Sequence, residues 1–220
     1  MCNVDRRVRD REVHSQQLPS RDAITPTTAS SPETKRCTSR IRDFGRQREW
    51  QKAVEVFDHM QQNGLHISGI TYSTIISACE KGQQWWHAVL VLSEMRQRCS
   101  PPNTIIYSGV ISACEKGSHW ARSRAFLLEM PESALRPDVI AYNATISACG
   151  RGNSWALAVE LLLEAGQLGL EASLITCNAV VSACEKGREW GRALQILNGV
   201  RQRHLQPDLI SIDASVSACE

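Results

Sequence analysis

Tryptophan recurs in this sequence at a fixed interval of 35 residues, at positions 50, 85, 120, 155 and 190. The same interval separates five cysteines, from Cys79 to Cys219, and five isoleucines, from Ile70 to Ile210. A period of about 20 to 50 residues is typical of repeat proteins, in which each unit is one supersecondary element stacked on its neighbours. The sequence therefore predicts an array with these units: a degenerate copy at 34–68, complete copies at 69–103, 104–138, 139–173 and 174–208, and a truncated copy at 209–220 with a first helix only.

Apolar residues within each unit follow a helical period. In the unit at 69–103, Ile75, Ile76 and Cys79 share one face of a first helix, while serines and a lysine share another. A second amphipathic run begins at each tryptophan, and a small residue stands at the same place in each complete unit: Ala88, Ser123, Ala158 and Ala193. Small side chains there would let two helices pack closely. Each unit is therefore predicted to be a helical hairpin, and the fold class is all-α, a right-handed α-solenoid.

Glycine and proline mark the predicted ends of these helices. A glycine follows each first helix, and we expect it to end that helix in the left-handed conformation. These glycines are Gly82, Gly117, Gly152 and Gly187. Pro102, Pro137 and Pro207 are expected to stop the second helices, because proline cannot continue the hydrogen-bond ladder. Ala172 replaces this proline in one unit, which predicts a second helix that continues or bends differently there.

Residues 1–33 lack the repeat and are rich in Arg, Ser, Thr and Pro, so they are predicted to form a disordered tail. Residues 1–48 hold 11 Lys and Arg against 6 Asp and Glu, whereas residues 49–220 hold 14 against 17. This acidic balance counts against nucleic-acid binding unless basic side chains gather on one face. No apolar stretch approaches the roughly 18 residues of a membrane helix, so no membrane partner is expected.

Nine cysteines are an odd number, and no hydrophobic signal segment precedes them, which favours a reducing compartment. Equivalent residues on stacked helices lie about 8 to 10 Å apart, beyond the roughly 7 Å limit for a disulfide. No C-x-x-C pair or nearby histidine has metal-ligand spacing, so we expect buried thiols and no metal. Motifs of metalloproteases, P-loop NTPases and zinc deaminases do not occur in the sequence. We therefore expect no catalytic residue, no cofactor and no small-molecule substrate.

Several short motifs recur with the 35-residue period. First helices read VIAYNATISACGRG at 139–152 and LITCNAVVSACEKG at 174–187. Most second helices carry W-x-x-A, and two units end in LRPD (135–138) and LQPD (205–208). Glu-Met pairs stand at 94–95 and 129–130. In these features residues 34–220 resemble the pentatricopeptide repeat (PPR) family. Tetratricopeptide units are the rival, but they run about 34 residues with a different order of Trp, Gly and Tyr.

This resemblance implies single-stranded RNA binding, with one base taken by each repeat. The fifth and last residues of a unit would read base edges, and the second residue would pack against a base. The base-reading residues are then Ser73, Asn103, Ser108, Asp138, Asn143, Ser173, Asn178 and Asp208. The base-packing residues are Ile70, Ile105, Ile140 and Ile175. Basic residues on the same face as the fifth residue would contact phosphates: Lys81, Lys116, Arg151 and Lys186.

The tendencies of the family also imply an RNA sequence. Serine at the fifth position leans towards purines and asparagine towards pyrimidines, while asparagine at the last position leans towards A or C and aspartate towards G or U. The four complete units would then read 5′-AGCU-3′, with no base assigned to the degenerate unit. The family also implies a role in RNA processing, stability or translation in a mitochondrion or chloroplast. Acidic residues near the start are atypical of a transit peptide, so a cytoplasmic location stays open.

Each of these residues also has an ordinary structural explanation. The isoleucines could pack at a helix start, the serines and asparagines could cap helices, and the basic residues could interact with helix C-termini. A protein-binding scaffold that uses the concave surface for a peptide is the alternative function, and one arm of an organellar enzyme is a third. The truncated unit further predicts self-association through a first helix that no second helix covers.

Overall fold

The computed structural model describes residues 32–170 and 173–202, with side chains up to residue 199. Within these residues the chain forms ten α-helices and no strand. They are α1 (Pro32–Arg46), α2 (Trp50–Gln62), α3 (Gly69–Lys81), α4 (Trp85–Gln97), α5 (Thr104–Lys116), α6 (Trp120–Glu132), α7 (Val139–Arg151), α8 (Trp155–Gln167), α9 (Leu174–Lys186) and α10 (Trp190–Gln202). Residues 1–31 of the predicted tail, the truncated unit and Pro207 lie outside the described residues, whereas Pro32 and Glu33, predicted to belong to the tail, begin helix α1. No helix in the described part is long and apolar enough to cross a bilayer.

The helices form two layers. The first helices α1, α3, α5, α7 and α9 pack side by side in chain order, and we call the surface of this layer the first-helix face. Each second helix packs on the first helix of its own hairpin and, from α2 to α8, on the first helix of the next hairpin. Each hairpin thus buries its apolar side by stacking on its neighbours, which confirms the prediction of an all-α, right-handed α-solenoid.

The core lies between the two layers and is built from residues that repeat at the same interval. Four of the recurring cysteines are fully buried, as predicted: Cys79, Cys114, Cys149 and Cys184. Burial raises the pKa of the first two thiols to about 12, because the thiolate would lose its hydration. The small residues of the second helices are also fully buried, which confirms the predicted close packing: Ala88, Ser123, Ala158 and Ala193.

The glycines after the first helices act differently from the prediction. Their φ angles lie between −80° and −86°, so none is left-handed. The left-handed residue is the next one in each unit, with φ between 56° and 60°: Gln83, Ser118, Asn153 and Arg188. Glycine is needed at this position because a side chain would not fit: a Cβ on Gly152 would lie 2.1 Å from Cδ1 of Trp120. The other three glycines meet the tryptophan of the preceding unit in the same way, so this contact joins each hairpin to the next.

Two second helices, α4 and α6, end without help from proline, contrary to the prediction. Helices α4 and α6 end at Gln97 and Glu132, five residues before Pro102 and Pro137. Each end is closed by a backbone bond of the 6→1 type, such as the one from the N–H of residue 135 to the carbonyl of residue 130 at 2.9 Å. Helix α8 has the same closure and ends at the same place in its unit, so its expected continuation is wrong.

Candidate nucleic-acid interface

Four exposed isoleucines lie along the first-helix face. Each is the second residue of its unit and stands in the first turn of a first helix, with a side chain 60–77% exposed: Ile70, Ile105, Ile140 and Ile175. Other isoleucines of the same helices, such as Ile75 and Ile76, are at most 1% exposed. Core packing therefore does not explain the four exposed ones. Large apolar side chains held in water at a regular spacing form a surface suited to flat, partly apolar ligands.

The last residue of three complete units caps the first helix of the next unit. Its side-chain oxygen accepts a hydrogen bond from a backbone N–H, at 3.0 Å for Asn103, 2.8 Å for Asp138 and 3.2 Å for Ser173. The capping explanation is thus correct for these three residues, while Asp208 lies outside the described residues. A cap occupies one acceptor atom, and it leaves the Nδ2 amide of Asn103 at the exposed surface.

The fifth residues lie inside the first helices, so capping does not account for them. Ser73, Asn143 and Asn178 are half-buried at the first-helix face, whereas Ser108 is only 4% exposed. The hydroxyl of Ser73 donates to the carbonyl of Ile70 at 2.9 Å. Because its hydrogen is used in this bond, Oγ of Ser73 can accept a hydrogen bond from a ligand.

The fifth and last residues of the unit at 104–138 are in direct contact. Oγ of Ser108 donates to Oδ1 of Asp138 at 2.9 Å, and the backbone N–H of Ala141 in α7 donates to the same oxygen. Oδ2 of Asp138 therefore remains for an external donor. In the degenerate unit the fifth residue, Thr38, is buried, and its Oγ1 lies 3.0 Å from Oγ1 of Thr71. That hydroxyl pair joins α1 to α3 inside the fold.

The predicted residues of the unit at 139–173 line one depression of about 290 Å³. Asn143 and Ser173 provide polar groups at this depression, and Ile140 and Ile175 provide apolar ones. The structure thus brings together the second, fifth and last residues of one unit with the second residue of the next. This combination offers an apolar surface beside hydrogen-bonding groups.

Two of the predicted phosphate contacts are neutralised by glutamates. Nζ of Lys116 lies 2.8 Å from Oε1 of Glu80, and Arg151 forms an ion pair with Glu115. Each glutamate belongs to the preceding unit, at the position just before its own basic residue. Half-exposed pairs of this kind contribute little to stability, but they cancel the positive charge that an anion would meet. Sequence reasoning missed them, although the Glu-Lys dipeptide repeated every 35 residues carries the signal.

The other two basic residues face glycine in place of glutamate. Lys186 donates to the carbonyl of Gly150 at 3.4 Å. Lys81 is exposed, and among the described residues no carboxylate lies within ion-pair distance of it. The basic line predicted from the sequence is therefore present, but its charge is uneven.

A two-layer solenoid of stacked helical hairpins defines the class of helical-repeat proteins. The sequence matches the profile of the pentatricopeptide repeat domain over residues 32–81, 55–116 and 160–219, and that of the PPR repeat over 140–170. These matches cover more than half of the chain, so the chain belongs to the pentatricopeptide repeat family. No curated protein matches the sequence.

Solved structures of the same family share the fold. The pentatricopeptide repeat protein PPR10 in complex with an 18-nucleotide psaJ RNA element superposes with a TM-score of 0.63 at 22% identity, over 84% of this chain and 25% of that one. PPR10 from maize superposes with a TM-score of 0.55 at 19% identity, over 86% of this chain and 32% of that one. The PPR domain of Arabidopsis thaliana protein-only RNase P 1 in complex with tRNA superposes with a TM-score of 0.74 at 11% identity, over 84% of this chain and 98% of that one. This chain thus spans a quarter to a third of PPR10, and the likeness is one of fold.

Proposed function

We propose that the first-helix face binds single-stranded RNA and that each complete repeat accommodates one base. The observation that carries this proposal is the line of four isoleucines, 60–77% exposed, beside polar fifth and last residues. An unstacked base has an apolar face and a hydrogen-bonding edge, and helical repeats of this kind read such bases with two or three side chains. Family membership and the RNA-bound relatives support the same function.

Base selection in this proposal follows from the groups that each unit presents. Oδ2 of Asp138 can accept from the ring N–H of G, which agrees with the G expected for the unit at 104–138. The Nδ2 amide of Asn103, which the helix cap leaves at the surface, can donate to the ring N1 of A. We therefore propose 5′-AGCU-3′ as the preferred core sequence, read in the parallel orientation. Its final U depends on Asp208, outside the described residues.

Asp138→Asn tests this proposal without removing the helix cap, because asparagine caps as well as aspartate does. The variant should change the preferred second base from G to A, by about 1 to 3 kcal/mol if the contact is a good base contact. The measurement is competition between 5′-AGCU-3′ and 5′-AACU-3′, each within an unstructured strand. Asp58→Asn is the matched control, because Asp58 is exposed on the second helix α2 and should leave the ranking unchanged.

The outcome separates two functions. If the parent binds RNA and the ranking of Asp138→Asn equals that of the parent, one-base-per-repeat reading is refuted. If the parent binds no single-stranded RNA at all, the first-helix face serves another ligand, and the peptide scaffold becomes the better explanation. The same substitution at Asp208 should move the last preference from U towards C.

The biological role proposed here is RNA processing, stability or translation in an organelle, without a catalytic step by these repeats. Family membership supports this role. A fluorescent fusion to the end of the full chain tests the location: signal in a mitochondrion or chloroplast supports the role, and diffuse cytoplasmic signal contradicts it.

A further inference from the structure

The four junctions between successive first helices differ in charge. At two of them a cation of one unit is paired with a glutamate of the preceding unit, at Lys116 and Arg151. At the junction of α1 with α3 the equivalent residue is Gly45, and a Cβ there would lie only 3.0 Å from Cβ of Ala78. A side chain at this position would require α1 and α3 to move slightly apart, and glycine supplies no carboxylate. The cation of this junction, Lys81, therefore has no facing carboxylate.

A second cation stands at the same junction. Arg42 belongs to the degenerate unit and occupies the place that serine occupies in the complete units. Arg42, Ser77 and Lys81 line one depression of about 270 Å³, together with Ser73 and Ile105. In the described part of the chain, no carboxylate pairs with either cation. The depression therefore combines two uncompensated positive charges with hydroxyl groups, among them those of Ser73 and Ser77.

The depression two units further along provides an internal comparison. It has nearly the same volume, about 290 Å³, and equivalent residues line it. Ser112 stands there in place of Arg42, and Glu115 in place of Gly45. The second depression thus has a neutral residue where the first has a cation, and an anion where the first has a neutral residue. The two depressions thus have similar volumes, but the first carries positive charge, whereas at the second Arg151 neutralises Glu115.

From this contrast we infer that Arg42 and Lys81 bind one phosphodiester group of the bound RNA, and that this junction is the main phosphate anchor of the described repeats. The guanidinium of Arg42 presents planar donors that suit phosphate oxygens, while Lys81 adds a point charge. Ser77 adds a hydroxyl donor. The degenerate unit, whose fifth residue is buried, thus anchors the strand and reads no base. The inference rests on the RNA-binding function proposed above.

Arg42→Ser and Lys81→Ala test the anchor in the full chain, since both side chains are exposed and neither change should disturb folding. The probe is a labelled single-stranded RNA that contains 5′-AGCU-3′. Each variant should bind it about tenfold more weakly, the size of one charge-assisted contact. In the double variant the slope of log K against log salt concentration should fall by about 0.7, the value for one phosphate of a single strand.

A scan of the probe with single methylphosphonate linkages locates the contact. One neutral linkage should weaken binding by the parent about tenfold and have no further effect on the double variant, because the anchor it removes is already lost.

Two controls separate this anchor from general charge effects. Lys52→Ala removes one positive charge from the second helix α2, and Lys52→Ala combined with Glu49→Ala removes the neutral ion pair between these two residues. Both should bind the probe like the parent. If either matches the loss of Arg42→Ser, or if Arg42→Ser binds like the parent, the anchor is overturned while RNA binding stands. If the parent itself binds no RNA, the proposed function is what fails.

Discussion

Replacing Gly152 by alanine tests the contact that joins successive hairpins. The φ angle of −86° suits alanine, so backbone strain contributes nothing. The new Cβ would lie 2.1 Å from Cδ1 and 2.9 Å from Cγ of Trp120, whereas carbon atoms in contact normally lie about 3.5 to 4.0 Å apart. The indole must therefore move, and we expect a loss of about 1 to 3 kcal/mol in the free energy of unfolding, the range for overpacked sites. Urea unfolding followed by circular dichroism measures this loss.

Two further variants make the test specific. Gly191 lies in the first turn of α10, and a Cβ there would meet no atom within 4 Å. Gly191→Ala should be neutral or stabilise by up to about 1 kcal/mol, because alanine is the better helix former. Trp120→Leu should remove most of the cost of Gly152→Ala, since the smaller side chain leaves room for the methyl group. A neutral Gly152→Ala in the parent, or a cost unchanged with Leu at 120, would refute the spatial argument.

Three further outcomes are expected. Cys149→Ala should cost about 1 kcal/mol of stability and leave RNA affinity and bound metal content unchanged, as measured by urea unfolding, anisotropy and elemental analysis. Burial raises the pKa of Cys149 and Cys184 to about 11. Between about pH 9 and 11 the folded state therefore retains thiol protons that the unfolded chain loses, and the free energy of unfolding should fall as the pH rises. Below about pH 8 these thiols should not change the free energy of unfolding with pH. Ile140→Ser should weaken RNA binding without lowering the melting temperature, because Ile140 is 60% exposed; an equal loss of both would contradict its role as a surface contact.

Much of the candidate site was predictable from the sequence, because repetition places equivalent residues at equivalent positions. The four isoleucines are exposed together, and Asn143 and Ser173, the fifth and last residues of one unit, line a depression with two of them. Two features were not predictable in this way. Ser108 is buried against Asp138, 30 residues away, and Lys116 is paired with Glu80, 36 residues away. These contacts depend on the distance and rotation between neighbouring hairpins, which the pattern within one unit does not contain.

The amino-acid sequence by itself determined the repeat length, the two-helix unit and the apolar side of each helix, since these follow from local periodicity and from residues that recur every 35 positions. Only the tertiary structure decided why glycine follows each first helix and where positive charge remains. Gly152 and its equivalents are required by the indole ring of the preceding hairpin, and not by their own backbone angles. Lys81 keeps its charge because Gly45, packed against α3, leaves it without the glutamate that neutralises Lys116. Both are contacts between stacked units, and stacking brings together residues that local propensity treats as independent.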